Sequence, residues 1–284
     1  MNSTDKVQQL HQQISDAVAD LHQNTQWRAM LDLSARMGSR YSLGNTLLIA
    51  MQRPDASTVA GYGAWRKAGR QVRKGEHGIA ILAPLVRRRT DDDTDTTAGD
   101  TDERGRGGVF GFKSVAVFDI SQTDGPPIPA ATPIDGHTPG GFRDTLTEAI
   151  AHRGYQMQYG DCRPAFGVTR RSEHTVTILP DQPTAQDALT LAHELAHIAC
   201  GHLDTDGYTH RGTTEVEAES VAYILCTAAG MAQVGPASFD YIGTWAGGDQ
   251  TLIRTTAEGV IRTAKQLLTD LHLDTTPADL APAA

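Results

Sequence analysis

Residues 193–197 read His-Glu-Leu-Ala-His, two histidines four positions apart with a glutamate beside the first. On a helix, positions i and i+4 share a face, so both imidazoles reach one ion at about 2.0–2.1 Å. Glu194 stands one step round, near that axis but off it, where a carboxylate holds a water and takes its proton during attack on a carbonyl. The neighbours Leu189, Leu191, Ala192, Leu195, Ala196, Ile198 and Ala199 are apolar. Two histidines and a glutamate on such a core helix are costly without a partner such as a metal. The spacing predicts a Zn2+ site with His193 and His197 as ligands and Glu194 as general base.

Such a site needs a third ligand. His202 lies one step out of register with the place where metzincins carry their third histidine, and it is set aside as a ligand. The segment Thr213–Leu225, TTEVEAESVAYIL, offers Glu215, Glu217 and Glu219. Ala218, Val221, Ala222 and Leu225 form an apolar helical face, and Glu215 lies on it three residues before Ala218. Glu215 is the chosen ligand, with Glu217, which points away from the stripe, as the alternative. Glu219, four residues after Glu215, is placed to accept a hydrogen bond from a ligand histidine. Tyr208, His210 and Arg211 read as a surface loop between the two metal helices. Tyr223, Cys200 and Cys226 read as packing residues.

The elements that position these groups follow from periodicity. Residues 5–24 form an amphipathic helix, followed by helices at Thr25–Met37 and Ser42–Gln52. Ser57–Tyr62 and His77–Pro84 read as strands around a basic turn, and Val109–Ile120 resumes strand character. Residues 90–108 are Asp, Thr, Gly and Arg without an apolar residue, the composition of a flexible insertion. Residues 125–141 have the proline and glycine content of a linker. Beyond it the pattern predicts a helix at Phe142–His152, a hairpin of Phe166–Arg171 with Thr175–Leu179, and a metal helix from Thr184 to Gly201. Thr184 with Asp187 resembles a capping box at its start. Two more helices cover Thr214–Ala229 and Leu252–Leu271. The fold class is α+β in two domains, 1–124 and 142–274, with a tail at 275–284.

The chain has 284 residues, 39% hydrophobic and 21% charged, a globular composition. Without an apolar run of about 20 residues, no membrane helix is expected. The opening MNSTDKVQQLHQQISD lacks the basic start and apolar core of a signal peptide. Three cysteines with no CxxC pair argue against a disulfide framework, so a cytoplasmic location is expected. Net charge is −9, yet residues 61–89 carry eight Lys/Arg and one acid. Arg66, Lys67, Arg70, Arg73 and Lys74 fall within nine residues, interleaved with Tyr62 and Trp65. Cations that track phosphates and aromatics that stack on bases are the two parts of sequence-tolerant single-stranded DNA binding. Asn45 is a candidate for a base edge or a turn cap.

HELAH followed by EVEAESVAY resembles the peptidase domains of the antirestriction ArdC and ImmA/IrrE families, which are gluzincin-type zincins. Their second motif has the form ExxAxxxA, matched here by Glu215, Ala218 and Ala222, with Glu219 at the place of a further carboxylate. The resemblance implies zinc on His193, His197 and Glu215, with Glu194 as base. YSLGNTLLI from Tyr41, VAGYGAWRKAGRQVRKGEHGIAILAP from Val59 and VFDISQT from Val117 resemble the ArdC N-terminal single-stranded-DNA-binding domain. That match adds Tyr41 to the DNA-binding candidates. Together they imply a mobile-element antirestriction protein that binds single-stranded DNA and is a zinc metallopeptidase acting on an unknown protein or peptide, with no membrane partner. The alternative is a non-catalytic DNA-coating protector whose zinc is structural. A third option is a regulator that cleaves a repressor.

Overall fold

A computed structural model describes residues 3–37, 40–86, 109–127, 141–163, 165–202, 211–231 and 249–274. The insertion at 90–108, the cations Arg87, Arg88 and Arg89, the loop residues Tyr208 and His210, linker residues 128–140 and the tail lie outside them. No described helix is long and apolar enough to cross a membrane.

The N-terminal part begins with three helices, α1 (Ser3–Asp20), α2 (Asn24–Met37) and α3 (Leu43–Gln52). Ser42 caps α3 by accepting from the Asn45 amide, satisfying a donor the helix start leaves orphaned. Strands β1 (Val59–Gly61), β3 (Ile79–Val86) and β4 (Val109–Asp119) pair antiparallel in the order β1-β4-β3. The free edge of β3 is closed by α3. Asn45 exchanges two hydrogen bonds with the Leu82 backbone (2.9 and 3.0 Å), and Gln52 does the same with Ala80 (2.9 Å each). Amide side chains have one acceptor and two donors, so each completes the edge as another strand would.

The expected basic turn is instead a short helix, α4 (Tyr62–Lys67), followed by β2 (Gln71–Val72). β2 pairs with β5 (Thr123–Asp124) as a separate two-stranded ladder. Asp119 joins these pieces. Its carboxylate accepts from the Ser57, Thr58 and Ser121 amides, while its own N–H donates to Gln122. The segment VFDISQT is thus a structural knot.

The C-terminal part runs α5 (Phe142–His152), β6 (Gln156–Tyr159), β7 (Gly167–Arg170), β8 (Thr175–Ile178), α6 (Thr184–Ala199), α7 (Arg211–Ala228) and α8 (Gln250–Asp270). Its sheet has the order β6-β8-β7, with β6 parallel to β8 and β7 antiparallel. The capping-box reading at Thr184 fails. Pro183 occupies the cap, and the Asp187 carboxylate takes Arg143 of α5 at 2.7 Å instead. A buried acid pairs with the nearest cation rather than with a turn already started by proline.

One hydrophobic core draws on both ends of the chain. Val18, Leu21, Trp27, Met30 and Leu31 pack with Leu191, Leu195, Val221, Leu225, Val260 and Leu267. Trp27 Nε1 donates to Ser220 Oγ at 3.0 Å, and the Tyr223 hydroxyl donates to Asp32. Helix α7 is therefore held by the N-terminal helices on one side and by α6 and α8 on the other. A second cluster, including Leu33, Leu48, Ile49, Ile79, Ile81 and Val117, lies between the first helices and the β1-β4-β3 sheet.

Candidate functional site

Helix α6 buries Leu191, Ala192, Leu195 and Ala196, and that choice of face fixes where the histidines point. His193 Nε2 and His197 Nε2 lie 3.0 Å apart. Glu215, in the first turns of α7, puts Oε2 3.5 Å from the former and 3.7 Å from the latter. These three donor atoms all fall within 4.8 Å of one another, with half of the Glu215 side chain exposed. Donors on a tetrahedral ion at about 2.0–2.1 Å are about 3.3 Å apart, so the triangle is the size a divalent cation requires. Two imidazoles and a carboxylate are also a suitable donor set for one. The structure thus brings His193, His197 and Glu215 together as the sequence predicts, and it turns Glu217 elsewhere.

Electrostatics support the grouping. Burial opposes the charged form of His193, but the carboxylates of Glu215, Glu194 and Glu219 outweigh it and raise its pKa. The neighbouring imidazoles of His193 and then His197 hold the Glu215 carboxyl well below the usual carboxylate range. Burial raises the Glu219 carboxyl, with His193 opposing and Glu215 adding to the shift.

Glu194 is 6% exposed and points toward strand β7. Thr169 Oγ1 donates to its Oε2 at 2.6 Å, which orients the carboxylate. The close approach depends on Gly167. A Cβ there would lie 2.6 Å from Thr190 Cγ2 and 2.9 Å from Glu194 Oε1. Gly167→Ala is expected to cost about 1–3 kcal/mol in denaturant unfolding, because a methyl group must displace buried atoms of α6. An unchanged unfolding midpoint would show that β7 has room to spare.

Sequence reasoning missed the contacts behind the ligands. His202 Nδ1 lies 2.9 Å from His197 Nδ1, and His202 Nε2 lies 2.8 Å from Glu217 Oε2. The His197 imidazole thus has His202 behind it, a contact that the spacing did not anticipate. Glu219 acts on His193 and Glu215 through its charge. Gly201, with φ +74°, provides the left-handed turn after α6 from which His202 folds back. The signal available in the sequence was His202 itself, three residues after a glycine-ended helix began to close, tested there only as a ligand.

The DNA-binding candidates divide sharply by burial. Trp65 is 0% exposed and its Nε1 donates to the Phe118 carbonyl at 2.9 Å, so its ring has no face for a base. Tyr41 is buried, its hydroxyl donates to the Val59 carbonyl at 2.9 Å, and burial pushes its pKa up to about 12. Asn45 is committed to the β3 edge. Arg70 is 8% exposed and donates to Thr123 Oγ1 and to the carbonyls of Thr123, Gly125 and Pro126. Trp65, Tyr41 and Arg70 are buried with their polar atoms paired inside the protein, and the half-buried Asn45 is paired with the β3 edge, so each has a structural role in place.

Tyr62, Arg66, Lys67, Arg73 and Lys74 remain exposed. Tyr62 is 45% exposed, stands edge-on to Phe118 and accepts from Gln71 Nε2 at 2.6 Å. It lines a groove of about 730 Å³ with Val72, Arg73, Lys74 and Phe118. Arg73 is partly spent on Glu76 at 2.7 Å and on Asp124 at 3.6 Å. The cysteines agree with their expected packing role: burial pushes Cys200 up to about 11 and Cys226 up to about 12, so neither is a thiolate near neutral pH.

The family model for the N-terminal domain of anti-restriction factor ArdC matches residues 4–118. The chain is also similar to an uncharacterized protein of Bacillus anthracis, 26% identical over a 294-residue alignment covering 86% of this chain and 49% of that protein. It spans about half the length of that curated relative. Among solved structures, the antirestriction ArdC protein from the R388 plasmid superposes in two forms. Its metal-free structure is 21% identical with a TM-score of 0.53, covering 89% of this chain and 98% of that one. Its Mn(II)-bound structure is 18% identical with a TM-score of 0.55, covering 92% and 97%. At these identities the likeness to the solved structures is one of fold.

Proposed function

We propose that this chain is an ArdC-type, mobile-element antirestriction protein, a reading supported by the match of residues 4–118 to the ArdC N-terminal domain and by the likeness of fold to the R388 ArdC structures. In this reading it binds single-stranded DNA through its N-terminal part and carries a zinc-dependent metallopeptidase centre. The observation that carries the proposal is the triangle of His193, His197 and Glu215 donors, with the oriented Glu194 carboxylate on the same helix turn. A divalent cation held there supplies Lewis acidity, the means by which such centres acidify water to near neutral pH.

The residues divide the remaining work. His193, His197 and Glu215 hold the ion, three protein donors in the manner of catalytic rather than closed structural sites, which more often use cysteines. Glu194 accepts the proton of the attacking water and passes it to the leaving amine. Thr169 keeps that carboxylate in one orientation, and the Glu215 side chain is half exposed.

Metal analysis of the purified chain tests the centre. One zinc per chain is expected, and Glu215→Gln or His193→Ala should fail to retain it through gel filtration. A wild-type chain without stoichiometric metal after zinc loading would end the peptidase reading. DNA binding is tested by salt. Neutralising Arg66, Lys67 and Lys74 together should make the log–log salt dependence of single-strand affinity shallower by about 2, at about 0.7 per phosphate contact. An unchanged slope would place the strand elsewhere on the surface.

A further inference from the structure

We infer that His202 and Glu217 form a positioning relay that fixes the tautomer of His197, so that its Nε2 lone pair faces His193 and Glu215. The inference deepens the metal-site reading above and rests on it for its purpose. Its geometry is a row of polar contacts: Glu217 Oε2 to His202 Nε2 at 2.8 Å, His202 Nδ1 to His197 Nδ1 at 2.9 Å, and His197 Nε2 to His193 Nε2 at 3.0 Å.

The proton positions follow from the acid inward. An ionised carboxylate only accepts, so the proton between Glu217 and His202 sits on His202 Nε2. In its neutral form His202 spends its single N–H on Glu217 and keeps Nδ1 as an acceptor, whereas a doubly protonated His202 would donate to His197 instead, and the spectrum described below tells the two apart. With His202 accepting, His197 donates from Nδ1 and keeps its Nε2 bare. That is the form an imidazole needs to bind an ion through Nε2, and a hydrogen bond at the far nitrogen also raises its donor strength. Without His202, His197 is free to carry its proton on Nε2, directed into the triangle of donors.

Two features outside the row belong to the same device. The His202 side chain is 8% exposed, which limits the water that could replace it. Helix α8 keeps a buried glycine, Gly259, in mid-helix, where glycine costs about 1 kcal/mol relative to alanine. A Cβ at Gly259 would come within 3.3 Å of Glu217 Oε1, so the glycine leaves room for the carboxylate at the end of the relay. This gives the last helix a part in a site from which it supplies no ligand.

The experiment compares the full-length wild type with His202→Ala and His202→Asn. The Asn side-chain oxygen occupies the place of His Nδ1 and can accept from His197, whereas Ala cannot. Zn2+ affinity, measured by competition with a chromophoric chelator, should fall about 10–100-fold in His202→Ala. It should return to within about threefold of wild type in His202→Asn. Nitrogen NMR of the metal-free protein reads the tautomer independently: Nδ1–H on His197 in wild type and His202→Asn, a mixture in His202→Ala. Wild-type His197 protonated on Nε2, or equal Zn2+ affinity in all three proteins, would overturn the relay. Failure of the wild type to take up Zn2+ would instead strike the metal-site reading, while the metal-free spectrum still decides the relay.

Discussion

Glu194→Gln is expected to retain the divalent cation at wild-type stoichiometry while losing about 10²–10⁴-fold in peptide hydrolysis. The expectation follows from where Glu194 stands. It is not among the three clustered donors, so the ion keeps its protein ligands. Glutamine matches it in volume, and its carbonyl oxygen can still accept from Thr169. What disappears is basicity, since an amide takes no proton near neutral pH. The measurement pairs metal analysis with cleavage of an unfolded casein substrate. Turnover equal to wild type would remove Glu194 from the chemistry. Loss of metal together with turnover would make it a structural support of α6. His193→Ala is the contrasting control, because it should lose both ion and turnover.

Much of the cluster of His193, His197 and Glu215 is legible in the sequence because it is local. HELAH sets its own geometry on any helix, and α6 runs from Thr184 to Ala199 as periodicity predicts. Glu215 was found by its position relative to Ala218 and Val221, and both are buried. Glu217 points away from the stripe, as the helical reasoning has it, but that reasoning does not say what it meets. An apolar stripe implies that off-stripe residues are solvated, but α7 is enclosed by α2, α6 and α8, with buried residues from Val216 to Cys226. Glu217 leaves the stripe and meets His202 instead of water. Strand β6 was invisible for a related reason. Gln156–Tyr159 is mostly exposed and pairs in parallel with β8, a contact made through a crossover and without a hairpin turn to announce it.

The basic stripe shows the opposite limit. Its composition was read correctly and its members still separated into two populations. Arg70 resembles Arg66 in sequence, but its acceptors are on Thr123, Gly125 and Pro126, more than fifty residues away. Long-range partners of that kind leave no mark on local composition. Gly125, at φ +149°, passes so close to Arg70 that a Cβ there would fall 2.9 Å from its Cα and its Cγ, which is tight packing around the backbone and stem of Arg70.

The division between buried and exposed aromatics gives the second large effect. Trp65→Ala is expected to destabilise the chain by about 3–5 kcal/mol, through lost burial and the cavity left behind. The ring lies between Ala60, Val72 and Phe118, and its removal also deprives the Phe118 carbonyl of its donor. Tyr62→Ala should behave in the reverse manner. Its ring is nearly half exposed on the groove beside Lys74, so stability should change little. Single-strand affinity should fall by the value of one stacked base, about 1–3 kcal/mol. Denaturant unfolding and fluorescence titration with an oligothymidine strand separate the two. If Trp65→Ala folds with undiminished stability yet loses DNA, the buried ring has a route to the surface and the assignment of roles is reversed. If Tyr62→Ala binds as wild type, stacking occurs on another aromatic, and the exposed Phe110 and Phe112 of β4 become the residues to replace.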